Sequence, residues 1–106
     1  MIGEDRAEAA VEYLRDTAKQ YGQARGHARY CEEGLRRVKA LNMPDEGSVA
    51  DRERSAYASD AYQAALTDMK NAIAEYETIR AMREAAVYTI EVFRSENSAR
   101  KQGVNL

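Results

Sequence analysis

Apolar residues recur along this chain at heptad spacing over two long stretches, a period that commits most of it to helices packed along their edges. In the first stretch Ala7, Leu14, Tyr21, Ala28 and Leu35 stand seven apart, with Ala10, Thr17, Ala24, Cys31 and Val38 three places after each. In the second, Tyr62, Met69, Tyr76, Arg83 and Ile90 form one series and Ala65, Ala72, Ile79, Ala86 and Phe93 the other; Arg83 interrupts the apolar run. Leu66, Ile73 and Val87 widen this second stripe beyond the need of a two-stranded coil, which favours three or four helices in a bundle. Alanine at so many seam positions lets a partner backbone approach closely and has the best helix propensity. Gly22, Gly26 and Gly34 act against it, each costing roughly 1 kcal/mol, and predict a bent or frayed middle for the first helix.

Turn chemistry is concentrated in one place. Asn42, Pro44, Asp45 and Gly47 cluster where a helix continuing past Met43 would lose a hydrogen bond to the proline, so the chain reverses there. Ser48 followed by Asp51 reads as an N-cap opening a short helix over residues 49–57. Ser59 and Asp60 offer a second cap, and the sequence leaves open whether the helix breaks at residues 58–60 or runs through them. The reading is one domain over residues 1–106, with a helix at 4–43, a turn at 44–48, the short helix, a long helix at 60–98, and a frayed tail to 106 where the apolar period is lost. The fold class is all-α, a long antiparallel, coiled-coil-like helical hairpin. Hydrophobic content of 44% is weighted towards alanine, so one hairpin of 106 residues has a thin core and pairing into a four-helix bundle dimer is expected.

The charges support that topology. Residues 1–16 carry −3, 17–44 carry +4, 45–78 carry −5 and 79–106 carry +2. Folding back near the middle sets the second block against the third and the first against the fourth, so opposite signs meet. Because each helix is itself bipolar, two copies of one helix packed antiparallel satisfy the same pattern. Hairpin and dimer can both use it.

Reaction chemistry is poorly represented. His27 and Cys31 stand four apart on one helical turn, but structural zinc needs four protein ligands and there is no other cysteine or histidine. Cys31 as a nucleophile needs an exposed position and a deprotonating partner, whereas its seam spacing predicts burial. Glu8, Glu12 and Asp16 line one helix face, yet the Glu-x-x-His pairs of di-iron bundles are absent and a solvated acidic face is the better reading. No glycine-rich phosphate loop or hydrolytic triad is present, so the expectation is a protein without cofactor, metal or enzymatic activity. A single cysteine excludes an internal disulfide, no cationic leader precedes an apolar run, and no stretch reaches membrane-spanning length, which together read as cytoplasmic with no membrane partner.

Two surfaces stand out as binding candidates. Lys19, Arg25, Arg29, Arg36 and Arg37 accompany Tyr21, His27 and Tyr30, and cations beside a stackable ring suit single-stranded nucleic acid; Lys19, Arg25, Arg29, Tyr30, Arg36 and Arg37 are the candidate contacts. The acidic third block, laid alongside by a hairpin, would quench much of this field, so nucleic acid is not the favoured partner. Of the seven tyrosines, Tyr21, Tyr62 and Tyr76 fall on the seams and are expected in the core. Tyr30, Tyr57 and Tyr88 fall off them and are the candidate contacts to a partner protein.

The segments Glu8 to Arg15 and Arg25 to Tyr30, the run Ala50-Asp51-Arg52-Glu53 leading into Ala56-Tyr57-Ala58-Ser59, and the later Tyr76-Glu77-Thr78, Arg83-Glu84-Ala85-Ala86 and Ile90-Glu91-Val92-Phe93-Arg94 together resemble a group of small phage and prophage helical proteins. The resemblance covers most of the chain in its helical segments and brings no catalytic motif. Such proteins are often encoded near DNA recombination and replication functions, so the resemblance implies an accessory role there. The functional expectation is a non-enzymatic phage accessory protein that binds another protein of that machinery or inhibits a host factor. Binding of single-stranded nucleic acid is the alternative.

Overall fold

The helix boundaries in the middle of the chain follow from specific capping residues. A computed structural model describes residues 1–105, with side chains through Gly103, and contains three α-helices and no strand among them. Helix α1 is Glu4–Leu41, α2 is Val49–Ala58 and α3 is Asp60–Asn105. Glu4 and Asp5 in the first turn of α1 and Lys39 in its last turn complement the helix dipole. The helix ends two residues earlier than the sequence reading placed it. Asn42 donates its side-chain amide to the Val38 carbonyl at 2.7 Å, and Met43, preceding a proline, is steered out of the helical region.

In the turn, Gly47 adopts φ 110°, a conformation that a side chain would strain. Arg52 reaches back to donate to the Pro44 carbonyl at 2.6 Å, and the Ser48 hydroxyl accepts from the Asp51 amide at 3.1 Å to cap α2. The break left open at residues 58–60 falls on Ser59 alone. Its amide and hydroxyl both donate to the Ala56 carbonyl, closing α2, while the same hydroxyl accepts from the Tyr62 amide at 3.2 Å and opens α3. One serine therefore ends one helix and starts the next.

Two expectations are corrected. Helix α1 runs unbroken through Gly22, Gly26 and Gly34; Ala24 and Ala28, which flank the first two glycines, are buried, so tertiary packing supports a segment that propensity alone leaves weak. The tail expected to fray after residue 98 is helical through Asn105; Leu106 lies outside the described residues. Loss of the apolar period leaves residues 98–103 exposed, but Ala99, Arg100, Lys101 and Gln102 are strong helix formers and no proline intervenes.

The chain's contacts group it into two compact units. The first unit joins Met1–Tyr21 to the chain from Glu77 onward. Its two helical segments run antiparallel: the Ile2 amide donates to Glu96 at 3.0 Å, and Arg83 donates to the Leu14 carbonyl. Ala7, Ile79 and Ala86 are its buried residues. The second unit, Gly22–Tyr76, takes Ala24 and Ala28 from α1, Ala56 from α2 and Ala72 from α3 into its interior, and Ala56 has no solvent exposure at all. Every seam position of α1 and α3 is buried or half-buried, but those that close completely are almost all alanine. A buried methyl contributes only about 0.8 kcal/mol of transfer energy, so close backbone approach and dispersion carry much of the packing. No described helix is long and apolar enough to cross a membrane.

Substitutions at Ser59, Gly22 and Gly26 test these boundaries and the slack in α1. Ser59→Ala removes a double cap and is expected to lower stability by about 1 kcal/mol in urea unfolding, with Ser55→Ala on the exposed face of α2 as a near-neutral control. Gly22 and Gly26 have open space where a β-carbon would stand, so Gly22→Ala and Gly26→Ala should each raise stability by about 0.5–1 kcal/mol.

Candidate functional site

The residue that interrupts the apolar heptads bridges the two helical segments of the first unit. Arg83 projects from α3 onto α1, where Nη1 donates to the Leu14 carbonyl and to the Thr17 hydroxyl, both at 2.7 Å, and its guanidinium lies 4.9 Å from the centre of the Tyr21 ring. Thr17 in turn donates to the Tyr13 carbonyl at 2.7 Å, so its hydroxyl serves as donor and acceptor together. A half-buried arginine with hydrogen-bond partners and an aromatic face pins helix register more strictly than an aliphatic side chain, since displacement by one turn loses the bonds and the ring contact together. The sequence carried the signal: Arg83 in one seam, with the polar Thr17 and the aromatic Tyr21 in the other. It was readable as an interruption, and its role appears only with the antiparallel register.

In the second unit Lys39 is the corresponding clasp. Its ammonium lies 3.3 Å from Glu53 Oε1 and 4.7 Å from the Tyr57 ring centre, joining α1 to α2. The Tyr57 side chain first, and Glu53 after it, hold Lys39 above the ordinary lysine pKa, with desolvation opposing. Tyr57 also meets the Tyr62 ring edge-on, centroids 5.2 Å apart. Tyr57 is thus half committed to its own unit, although 43% of it stays exposed.

The candidate basic face divides by position. Lys19, Arg25, Arg29, Arg36 and Arg37 are all exposed on α1. Arg37 folds over Tyr30, donating to its hydroxyl at 3.2 Å with the guanidinium 5.8 Å from the ring centre. Arg25, Arg29 and Arg36 recur at offsets of four and seven, which places them along one stripe of the helix, and no ion pair among the described residues involves them. The acidic block expected to quench this segment is engaged through Lys39 and Glu53. Other close pairs, Arg54 with Asp51 and Arg80 with Glu77 and Glu84, lie within a single helix.

The remaining candidates are less organised. Cys31 is half-buried, with Sγ 3.9 Å from Nε2 of the exposed His27. Glu8, Glu12 and Asp16 are exposed, and among the described residues no group of three or more histidine, cysteine, aspartate or glutamate side chains is arranged to hold a metal ion. Tyr30 and Tyr88 are 63% and 67% exposed, and Tyr88 borders a groove with Leu14, Tyr21, Arg83 and Val87. A second groove along the first unit is walled by Ala9, Ala10, Tyr13, Met82, Ala85 and Thr89.

No family model, curated protein or solved structure matches this chain. The geometry is therefore the principal guide to function.

Arg83 and Tyr21 should be energetically coupled. Arg83→Ala is expected to cost about 1–2 kcal/mol in chemical unfolding, and a double-mutant cycle with Tyr21→Leu should return a coupling of about 0.5 kcal/mol or more.

Proposed function

We propose that this chain is a non-enzymatic interaction protein, a phage accessory factor that acts in the cytoplasm as a dimer and binds another protein through exposed helix faces. One observation carries the reading: positions that close completely are filled almost entirely by alanine, while Tyr30, Met82, Val87 and Tyr88 remain 42–67% exposed. Large side chains placed outside a thin core give the surface its adhesive area, and aromatic side chains on exposed positions are favoured at protein interfaces. The phage setting, and with it a role near DNA recombination or host-factor inhibition, draws on the sequence resemblance alone. Tagged chain used as bait in host lysate should retain a specific protein, and the double variant Tyr30→Ala, Tyr88→Ala should lose it while keeping its helical circular dichroism. Retention by the variant equal to that of the parent would remove these tyrosines from the reading.

A second reading is favoured by a separate observation, the exposed stripe of Arg25, Arg29 and Arg36 without ion-pair partners among the described residues. It assigns the chain to single-stranded nucleic acid, with Lys19 and Arg37 adding charge and Tyr30 offering a stacking face. Labelled oligonucleotide should then bind with an affinity that falls steeply with salt, and Arg25→Ala with Arg29→Ala should lower both the affinity and the salt slope. An unaltered affinity in that variant would discard the reading.

A further inference from the structure

In the first unit, one flank of α1 carries a charge pattern that is its own mirror image with the sign reversed. Glu4, Glu8, Val11, Arg15 and Lys19 recur at offsets of three and four, so they share one side of the helix. All five are exposed, Val11 at 40%, and none of the four charged residues makes an ion pair with its own chain among the described residues. Reflection through the point between Val11 and Glu12 exchanges Glu8 with Arg15 and Glu4 with Lys19. Helix α3 beside it contributes one reflected pair of opposite charges. Val11 shares a groove with Ile90 and Arg94, and reflection through Thr89 exchanges Arg94, which lacks an ion pair among the described residues, with Glu84, whose carboxylate also accepts from Arg80 at 3.1 Å within α3.

From this symmetry we infer that the first unit's face bearing Val11 and Val87 is the interface with a second copy of the same chain, packed by a two-fold axis that crosses the helices near Val11 and Thr89. This rests on the dimer named above and specifies its face and register. Each copy's Glu8 meets the second copy's Arg15, each Glu4 meets Lys19, and each Arg94 meets Glu84, while Val11 and the 42%-exposed Val87 are covered at the centre. An isologous contact needs this self-complementarity, because every pair occurs twice. A two-fold axis running lengthwise over α1 would instead bring Glu4 and Glu8 onto their own copies and is disfavoured by like-charge repulsion. Glu12 lines the same groove as Val11, and in this register it falls opposite the second copy's Val11 at the axis, where it pairs with no cation.

Charge reversal at one symmetric pair tests the face. Glu8→Arg and Arg15→Glu are prepared separately and together, each checked for unchanged helical circular dichroism, and the association constant is measured by sedimentation equilibrium. The parent is expected at twice the 11.9 kDa chain mass, dissociating more readily as salt rises. Each single variant should associate about tenfold or more weakly, a mixture of the two should recover a heterodimer, and the double variant should recover the homodimer. A parent dimer whose affinity none of these changes alters would overturn the face and register while leaving dimerisation in place. A parent of single-chain mass at every concentration would overturn both.

Discussion

Close approach between helix backbones, permitted by alanine, is the constraint on which the rest of this structure depends. Ala7 and Ala86 in the first unit, and Ala24, Ala28, Ala56 and Ala72 in the second, are the sites where the helices are most completely sealed. A methyl group removes little apolar area from water, so such a seam is held by the number of close contacts along it rather than by the transfer energy of any one side chain. Leucine and methionine at the seam edges stay partly wet. The chain therefore has a narrow dry interior with several large apolar side chains left outside it.

Two consequences follow from a narrow seam. Register has to be fixed by something more directional than alanine contacts, and Arg83 does this in the first unit through Leu14, Thr17 and Tyr21, as Lys39 does in the second through Glu53 and Tyr57. Both are cations laid across a tyrosine face with an oxygen acceptor beside it, a geometry that tolerates partial solvation and still loses its partners on displacement. The rim, for its part, is left available. Exposed tyrosines, the groove containing Met82 and the charge-symmetric flank around Val11 all lie outside the sealed stripe.

The fold was largely legible because heptad spacing and turn chemistry act locally. The alanine seams, the reversal at Pro44 and the Ser48 cap each depend on residues within a few positions of one another, so the period read from the sequence is the period that packs. The break at Ser59 was legible only as an alternative, since a serine that both closes and opens a helix looks like an ordinary mid-helix serine until its hydroxyl has two partners. The helix persists at the glycines of α1 and in the C-terminal segment for two different reasons. Tertiary contacts at Ala24 and Ala28 support the first, and strong helix formers keep the second helical although it has no apolar face to bury. Arg83 was legible as an anomaly and not as a clasp, because its partners stand 66 and 69 residues away. The exposed basic stripe was visible as composition, whereas its lack of ion-pair partners required the geometry.

Whether alanine is required by closeness, rather than merely accepted, is tested most directly at Ala56, which has no solvent exposure. Urea unfolding of Ala56→Leu beside the parent measures it. If the three helices of the second unit are sealed at backbone distance, the larger side chain forces them apart and stability falls by about 1–3 kcal/mol. A stability equal to or above that of the parent would mean that the seam has room for leucine, and that close approach does not hold the fold together.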